Sequence, residues 1–230
     1  MRTIGLLGGM SAESSIEYER LMNHEVRRRL GPQHSASMLI RSYDFAEIEA
    51  LQVAGDWAGA ARLLAEDARG LQDAGADLLV LCTNTMHRVA DAIEAAIEVP
   101  LLHIADATGE AVRAAGVRRV GLLGTRYTME QDFYRGRLES RHGLSVLVPH
   151  EPDRTVVHDV IYEELVRGVI REESRRAYLA IIGRLLERGA EGIIAGCTEI
   201  EALVRPDDVA CRYFPTTRIH ALAAVELALR

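Results

Sequence analysis

A cysteine followed by a threonine and a glutamate, Gly196-Cys197-Thr198-Glu199, closes the short apolar run Ile193-Ile194-Ala195. A thiol at the end of such a run, where a helix is expected to start, lies near backbone N–H groups that favour the thiolate, the form that acts as base or nucleophile. The competing use is packing, because a free cysteine is often a small buried hydrophobe. A second stretch has the same design: Gly75-Ala76-Asp77, the run Leu78-Leu79-Val80-Leu81, then Cys82-Thr83-Asn84-Thr85. Aligning Gly75-Ala76-Asp77 on Gly189-Ala190-Glu191 sets an offset of 114 residues, which pairs Cys82 with Gly196 and Thr83 with Cys197. Successive strand side chains point to opposite faces. Thr83, not Cys82, is therefore the expected positional partner of Cys197. Cys82 is read as structural, and Cys211, with no polar neighbourhood, as packing.

Small polar residues gather at the same strand ends. Gly8-Gly9-Met10-Ser11 lacks the lysine and the spacing of a phosphate loop. Its better use is to offer backbone N–H groups and a hydroxyl to a carboxylate at a helix start, and Gly124-Thr125 offers a matching turn. Asn84, Thr85 and Thr198 add neutral donors. The chain has no lysine, and such a set suits a small anion such as an amino-acid carboxylate. Turn chemistry and capping are the alternative use of these residue types. Glu199 beside a thiolate would raise the thiol pKa, so it is read as a contact for a substrate ammonium group or a backbone N–H. Among eight histidines no pair has metal-ligand spacing; His87 is close enough to the first motif to reach the site, and His220 is read as structural.

The surrounding pattern alternates strands with helices. Strands are expected at Thr3–Gly8, Ser37–Tyr43, Leu78–Leu81, Leu101–Ile104, Arg119–Gly124, Leu144–Val148, Ile193–Ala195 and Cys211–Phe214. Helices are expected from Ser11 to Leu30, Asp44 to Gln52, Trp57 to Asp73, Met86 to Glu98, Asp106 to Ala115, Met129 to His142, Asp153 to Arg167 and Glu172 to Arg188. A last helix would carry Ile219, Leu222, Val225 and Leu229 on its apolar face. Gly5-Leu6-Leu7-Gly8 returns as Gly121-Leu122-Leu123-Gly124 at an offset of 116, with Tyr18 falling on Tyr134. Two echoes in the same order predict two similar α/β lobes with parallel sheets flanked by helices, related by a pseudo-two-fold axis. Residues 1–99 and 213–230 are assigned to the first lobe and 100–212 to the second. Ligands of such folds bind outside the carboxyl ends of the strands, which puts the expected site in the cleft between the lobes.

Bulk composition excludes several classes. The 230 residues carry a net charge of −7, opposite to what a nucleic-acid groove needs. No apolar run is long enough to span a bilayer, and the N-terminus leads straight into a strand with no signal peptide. Three cysteines without a Cys-x-x-Cys pair make neither a disulfide framework nor a zinc site. A cytoplasmic protein without membrane, metal or nucleic-acid partners is expected.

With these residues set out, the sequence resembles the aspartate/glutamate racemase family over nearly its whole length. The resemblance is carried by Ile4-Gly5-Leu6-Leu7-Gly8-Gly9-Met10-Ser11, by Cys82-Thr83-Asn84-Thr85-Met86-His87, by Gly196-Cys197-Thr198-Glu199-Ile200, and by Thr216-Thr217 with His220-Ala221. It is strongest toward the bacterial group described as broad-specificity or L-aspartate/glutamate-specific. The resemblance implies a two-lobed fold, often dimeric, and racemisation of an amino-acid substrate without a cofactor. In that mechanism one cysteine thiolate removes the α-proton and a second thiol returns one to the opposite face. Carried over by motif, the second cysteine is Cys197 and the first position is Thr83, the pairing that the internal repeat also reaches. The family pattern further implies substrate contacts from Met10, Ser11, Gln52, Asn84, Thr85, Thr125, Thr198 and Glu199. Ala12 stands where close relatives often have tryptophan, and Pro215 where they have an acid. A threonine hydroxyl is a far weaker acid than a thiol, so unequal handling of the two enantiomers is expected. Two other functions fit one cysteine: decarboxylation of a substituted malonate, and ligand sensing without catalysis. Arg41, Arg126 and Arg167 are candidates for a distal substrate carboxylate.

Overall fold

The computed structural model describes all residues from Met1 to Arg230, in two compact units: Met1–Ile104 with His220–Arg230, and Ala105–Ile219. The first contains β1 (Ile4–Gly8), α1 (Ala12–Leu30), β2 (Met38–Ser42), α2 (Phe45–Ala54), α3 (Trp57–Asp73), β3 (Leu78–Leu81), a 3₁₀ turn at Thr85–Val89, α4 (Ala90–Glu94) and β4 (Leu101–Leu102). The second contains α5 (Ile104–Ala114, whose first residue is still counted with unit 1), β5 (Arg119–Gly124), α6 (Arg126–Glu130), α7 (Arg135–His142), β6 (Ser145–Leu147), α8 (Asp153–Glu163), α9 (Glu172–Glu187), β7 (Gly192–Gly196), α10 (Thr198–Leu203) and β8 (Arg212–Pro215). The last helix, α11 (Thr216–Leu229), starts in the second unit and ends in the first.

Each unit holds a four-stranded, all-parallel sheet, in the order β2-β1-β3-β4 and β6-β5-β7-β8. The orders are the same once the second set is renumbered. The register is repeated too: Gly5 lies opposite Leu79, and Gly121 opposite Ile193, the pairing that the two offsets predict. At both glycines a Cβ would collide with that neighbour, with the Leu79 side chain in one sheet and with Ile193 Cδ1 at 2.7 Å in the other. The missing side chain makes room for the bulky one beside it.

Parallel sheets need both faces covered, and the first unit shows how the pattern does it. Leu79 and Leu81 face a core built with Leu64, Ala68 and Leu71 of α3, while Leu78, Val80 and Cys82 face Tyr18 and Met22 of α1 and Ala221, Ala224 and Val225 of α11. In the second unit Ile193 and Ala195 face Val157 and Ile161 of α8 and Tyr178, Ile181 and Leu185 of α9. Helix starts are fixed by side-chain caps at Ser11, Asp44, Asp56 and Thr125, each of the type worth about 1 kcal/mol.

Several expectations need correction. The units divide after Ile104 and Ile219, later than residues 99 and 212, because β4 still pairs with β3 and β8 with β7. The helix expected from Met86 to Glu98 is a tight 3₁₀ turn and a short α4 that ends at Glu94. The helix expected from Met129 to His142 is two helices, interrupted where Tyr134 turns its side chain fully into the core. The strand expected at Leu101–Ile104 keeps two residues, because Ile104 already begins α5. On α11 the buried apolar positions are Ala221, Ala224, Val225 and Ala228, while Ile219, Leu222 and Leu229 are only partly covered. Small residues let this helix lie close to its neighbours.

Candidate active site

The two candidate proton-transfer residues sit at the same place in their own sheets. Thr83 follows Leu79 and Leu81 in the alternation beyond β3, and Cys197 follows Ile193 and Ala195 beyond β7. Both are half-buried. Cys82 is fully buried against Tyr18 and α11, with its thiol pushed up by desolvation. It is a core residue.

The backbone around Thr83 is held at several points. Ser14 Oγ donates to the Cys82 carbonyl at 2.9 Å, Thr83 N–H donates to Leu81 O at 2.9 Å, and His87 Nδ1 lies 2.7 Å from Thr83 O. Asn84 and Thr85 are buried on this turn. Gln52 is buried on α2, with Nε2 3.1 Å from Met86 Sδ, and Met10 is buried in the core on the α3 side of the sheet. Ser11 caps α1, its Oγ accepting Ser14 N–H at 3.3 Å. The expectation that Gly9 offers its N–H to a ligand fails. That N–H donates to Ser15 Oγ at 2.6 Å, and the positive φ of +81° turns Gly9 toward Tyr43, where no Cβ would fit.

Around Cys197 the chemistry is different. Cys197 precedes α10, which is only six residues long, so the dipole support expected for a thiolate is small. The thiol instead donates to Glu199 Oε2 at 2.9 Å. Burial first, and then the Glu199 charge and its hydrogen bond to the thiol, hold the Cys197 pKa well above that of a free thiol. Glu199, expected as an ammonium or backbone contact, accepts the hydrogen bond of the thiol instead. Thr198 Oγ1 pairs with Thr217 Oγ1 at 2.8 Å, and Thr216 Oγ1 donates to Ala195 O at 2.8 Å. Thr125 Oγ1 accepts Thr128 N–H at 3.3 Å as the cap of α6.

The first unit thus assembles Met10, Ser11, Gln52, Thr83, Asn84 and Thr85, and the second Thr125, Cys197, Thr198 and Glu199. Of the three arginine candidates, Arg41 already pairs with Asp67 at 3.1 Å and lies over the Tyr43 ring, while Arg126 pairs with Glu151 at 3.5 Å and Thr155 at 2.8 Å. Arg167 is exposed. His87 is built into the fold, and His220 is buried between Tyr18 Oη, 2.7 Å from Nδ1, and Leu102 O, 2.8 Å from Nε2. No three His, Cys, Asp or Glu side chains are grouped to hold a metal ion. Sequence reasoning missed Glu201, whose Oε1 accepts Thr217 N–H at 3.2 Å; its place four residues after Cys197 was the available signal.

Comparison with known proteins identifies the family. The family model described as Asp/Glu/Hydantoin racemase matches residues 7–224. A crystal structure of a protein from Yersinia pestis that has been assigned as an Asp/Glu racemase is 53% identical over 100% of both chains, with a TM-score of 0.95. PH1733, an aspartate racemase homologue from Pyrococcus horikoshii OT3, is 34% identical over 100% of both chains, with a TM-score of 0.86. A glutamate racemase of Synechococcus sp. (strain CC9605) is 27% identical over 146 residues, which are 62% of this chain and 51% of that protein; the chain thus spans about half of that relative. The chain belongs to the Asp/Glu/Hydantoin racemase family, and with it to the amino-acid racemases, a class of isomerases.

Proposed function

We propose that the protein racemises an acidic or related amino acid without a cofactor, with Cys197 and Thr83 exchanging protons with the α-carbon. The observation that carries this reading is the Cys197 thiol donating to the Glu199 carboxylate at 2.9 Å, at the strand-end position where the repeated design gives Thr83 in the other unit. Glu199 takes the thiol proton and the thiolate sulfur takes the α-hydrogen as a proton. The electron pair left on the α-carbon is delocalised into the substrate carboxylate. A proton then returns to the opposite face from the Thr83 hydroxyl or from water relayed by it, and the proton held by Glu199 passes through solvent to restore the group that gave it. Neutral donors at Ser11, Asn84, Thr85, Thr125 and Thr198, with Met10 and Gln52, form the substrate contacts in this reading.

A raised thiol pKa is compatible with this role. The thiol rests protonated against its base and becomes a strong base only when Glu199 takes the proton. The hydroxyl at Thr83 has no comparable acidity, so the enantiomer whose α-hydrogen meets Cys197 exchanges faster. We read the active form as a homodimer in a reducing cytoplasm that keeps all three thiols free. Light scattering checks the dimer. The central test is α-deuteration of single-enantiomer amino acids in heavy water, followed by NMR. Faster exchange of one enantiomer, lost in Cys197→Ser, is expected; equal rates, or exchange surviving the substitution, would sink the reading.

A further inference from the structure

Both strand-end turns are tied to the start of a following helix by the side chain four residues further on. In the first unit that residue is His87. Its Nε2 accepts the N–H of Ile104, the first residue of α5, at 3.1 Å, and its Nδ1 lies 2.7 Å from Thr83 O. A ring nitrogen that accepts an N–H carries no hydrogen, so the neutral ring holds its hydrogen on Nδ1 and donates it to the Thr83 carbonyl. In the second unit the residue is Glu201. Its Oε1 accepts the N–H of Thr217, the second residue of α11, at 3.2 Å. In each unit the helix so engaged begins close behind the last strand of the sheet, α5 after β4 and α11 after β8. The offset of 114 that pairs Thr83 with Cys197 also pairs His87 with Glu201. A histidine and a glutamate share no sequence likeness, but here they accept the same kind of hydrogen bond at the same place.

We infer that His87 and Glu201 are equivalent positioning residues, each clamping the turn that presents its proton-transfer side chain to the helix start behind it. The inference deepens the racemase reading and rests on it for the word proton-transfer. The two clamps differ in charge. His87 is neutral and reaches back to Thr83, whereas Glu201 adds a negative charge near Cys197 that acts in the same direction as that of Glu199.

Four variants test this: Glu201→Gln, which keeps an acceptor oxygen without the charge; Glu201→Ala, which keeps neither; His87→Asn, which keeps a donor near Thr83 O but loses the far acceptor; and His87→Ala. The readouts are α-hydrogen exchange of each enantiomer, the pH profile of Cys197 alkylation by iodoacetamide read by mass spectrometry, and melting temperature. Glu201→Gln is expected to melt like the parent and to alkylate about threefold faster at neutral pH, since a nearby negative charge has been removed. Glu201→Ala should slow exchange of the enantiomer served by Cys197 by about tenfold or more, because loss of orientation is costly in such steps. The His87 variants should slow the other enantiomer by a similar factor. Variants that lower only the melting temperature, or that slow both enantiomers equally, overturn the inference. If the parent exchanges no amino acid, the racemase reading fails by itself. The clamp on the Cys197 side is then decided by alkylation, and unchanged profiles in both Glu201 variants overturn it. Should an alanine variant fail to fold, the Gln and Asn variants carry the test.

Discussion

The turns after β3 and after β7 are built on one plan and furnished with different chemistry. Each follows the same alternation out of a buried parallel strand, and each is tied by a side chain four residues on. One ends in a hydroxyl on a turn whose backbone is held by neutral hydrogen bonds with Ser14, Leu81 and His87. The other ends in a thiol that donates to a carboxylate, with a second carboxylate near. A shared plan fixes position; it does not fix acidity. In the proposed reading the second turn supplies the base that takes an α-proton, and the first a group that passes one along.

The largest effect should come from abolishing the difference downward. Cys197→Ser leaves hydroxyls at both positions, and α-deuteration of the faster enantiomer should fall about a thousandfold, within the range that general-base catalysis contributes. Abolishing it upward is the next test. Thr83→Cys puts thiols at both positions, and exchange of the slower enantiomer should rise by about tenfold to a hundredfold while that of the faster one changes little. Equal effects on both enantiomers would show that Thr83 does not serve one face.

A smaller change sharpens the electrostatic side. Burial and the Glu199 charge disfavour the thiolate, so in Glu199→Gln the alkylation profile of Cys197 should move to lower pH by about one unit. A profile that does not move would mean the carboxylate has little hold on the thiol. The last effect is on stability rather than on exchange, and concerns the support behind the first turn. His220 is buried neutral, its pKa pushed down to about 4 by desolvation, against about 6.5 in an unfolded chain. Its contribution is complete above pH 6.5 and is lost as pH falls toward 4, roughly 3 kcal/mol over that window. His220→Gln should therefore flatten the fall of the urea midpoint between pH 7 and 4. An unchanged slope would show that His220 does not set that fall; Glu25, whose pKa is lowered to about 2 chiefly by the hydrogen bond from Arg28, loses its contribution only below about pH 4.5.

Much of this was legible from residue order. The echo at offset 114 assigned Cys82 to the core and matched Thr83 with Cys197 because strand alternation is a strict period of two. Helix starts at Ser11 and Asp44 were readable from side-chain type. What sequence could not show depends on which partner a polar group finds. Gly9 was expected to face a ligand, and Ser15 takes its N–H. Glu199 was expected to meet a substrate ammonium group or a backbone N–H, and it accepts a hydrogen bond from the thiol. Glu201 entered no sequence expectation, and its role rests on accepting the N–H of Thr217. Helix lengths failed where helices are short, as at Thr85–Glu94 and Arg126–His142, because burial of one aromatic ring or one tight turn outweighs local propensity.

The route of the chain sets an order of assembly. The second unit is one continuous run, but the first needs His220–Arg230 to complete it. Ala221, Ala224, Val225 and Ala228 of α11 cover the face of the first sheet that holds Ile4, Leu6, Leu78 and Val80, and Arg2 N–H donates to Ala228 O. A polypeptide emerges from the ribosome amino end first. The strands made earliest must therefore wait, with one greasy face covered only in part by α1, until α11 is synthesised, while the later-made half already has its own segments in hand. Loss of a few carboxy-terminal residues would damage the part of the protein that was translated first.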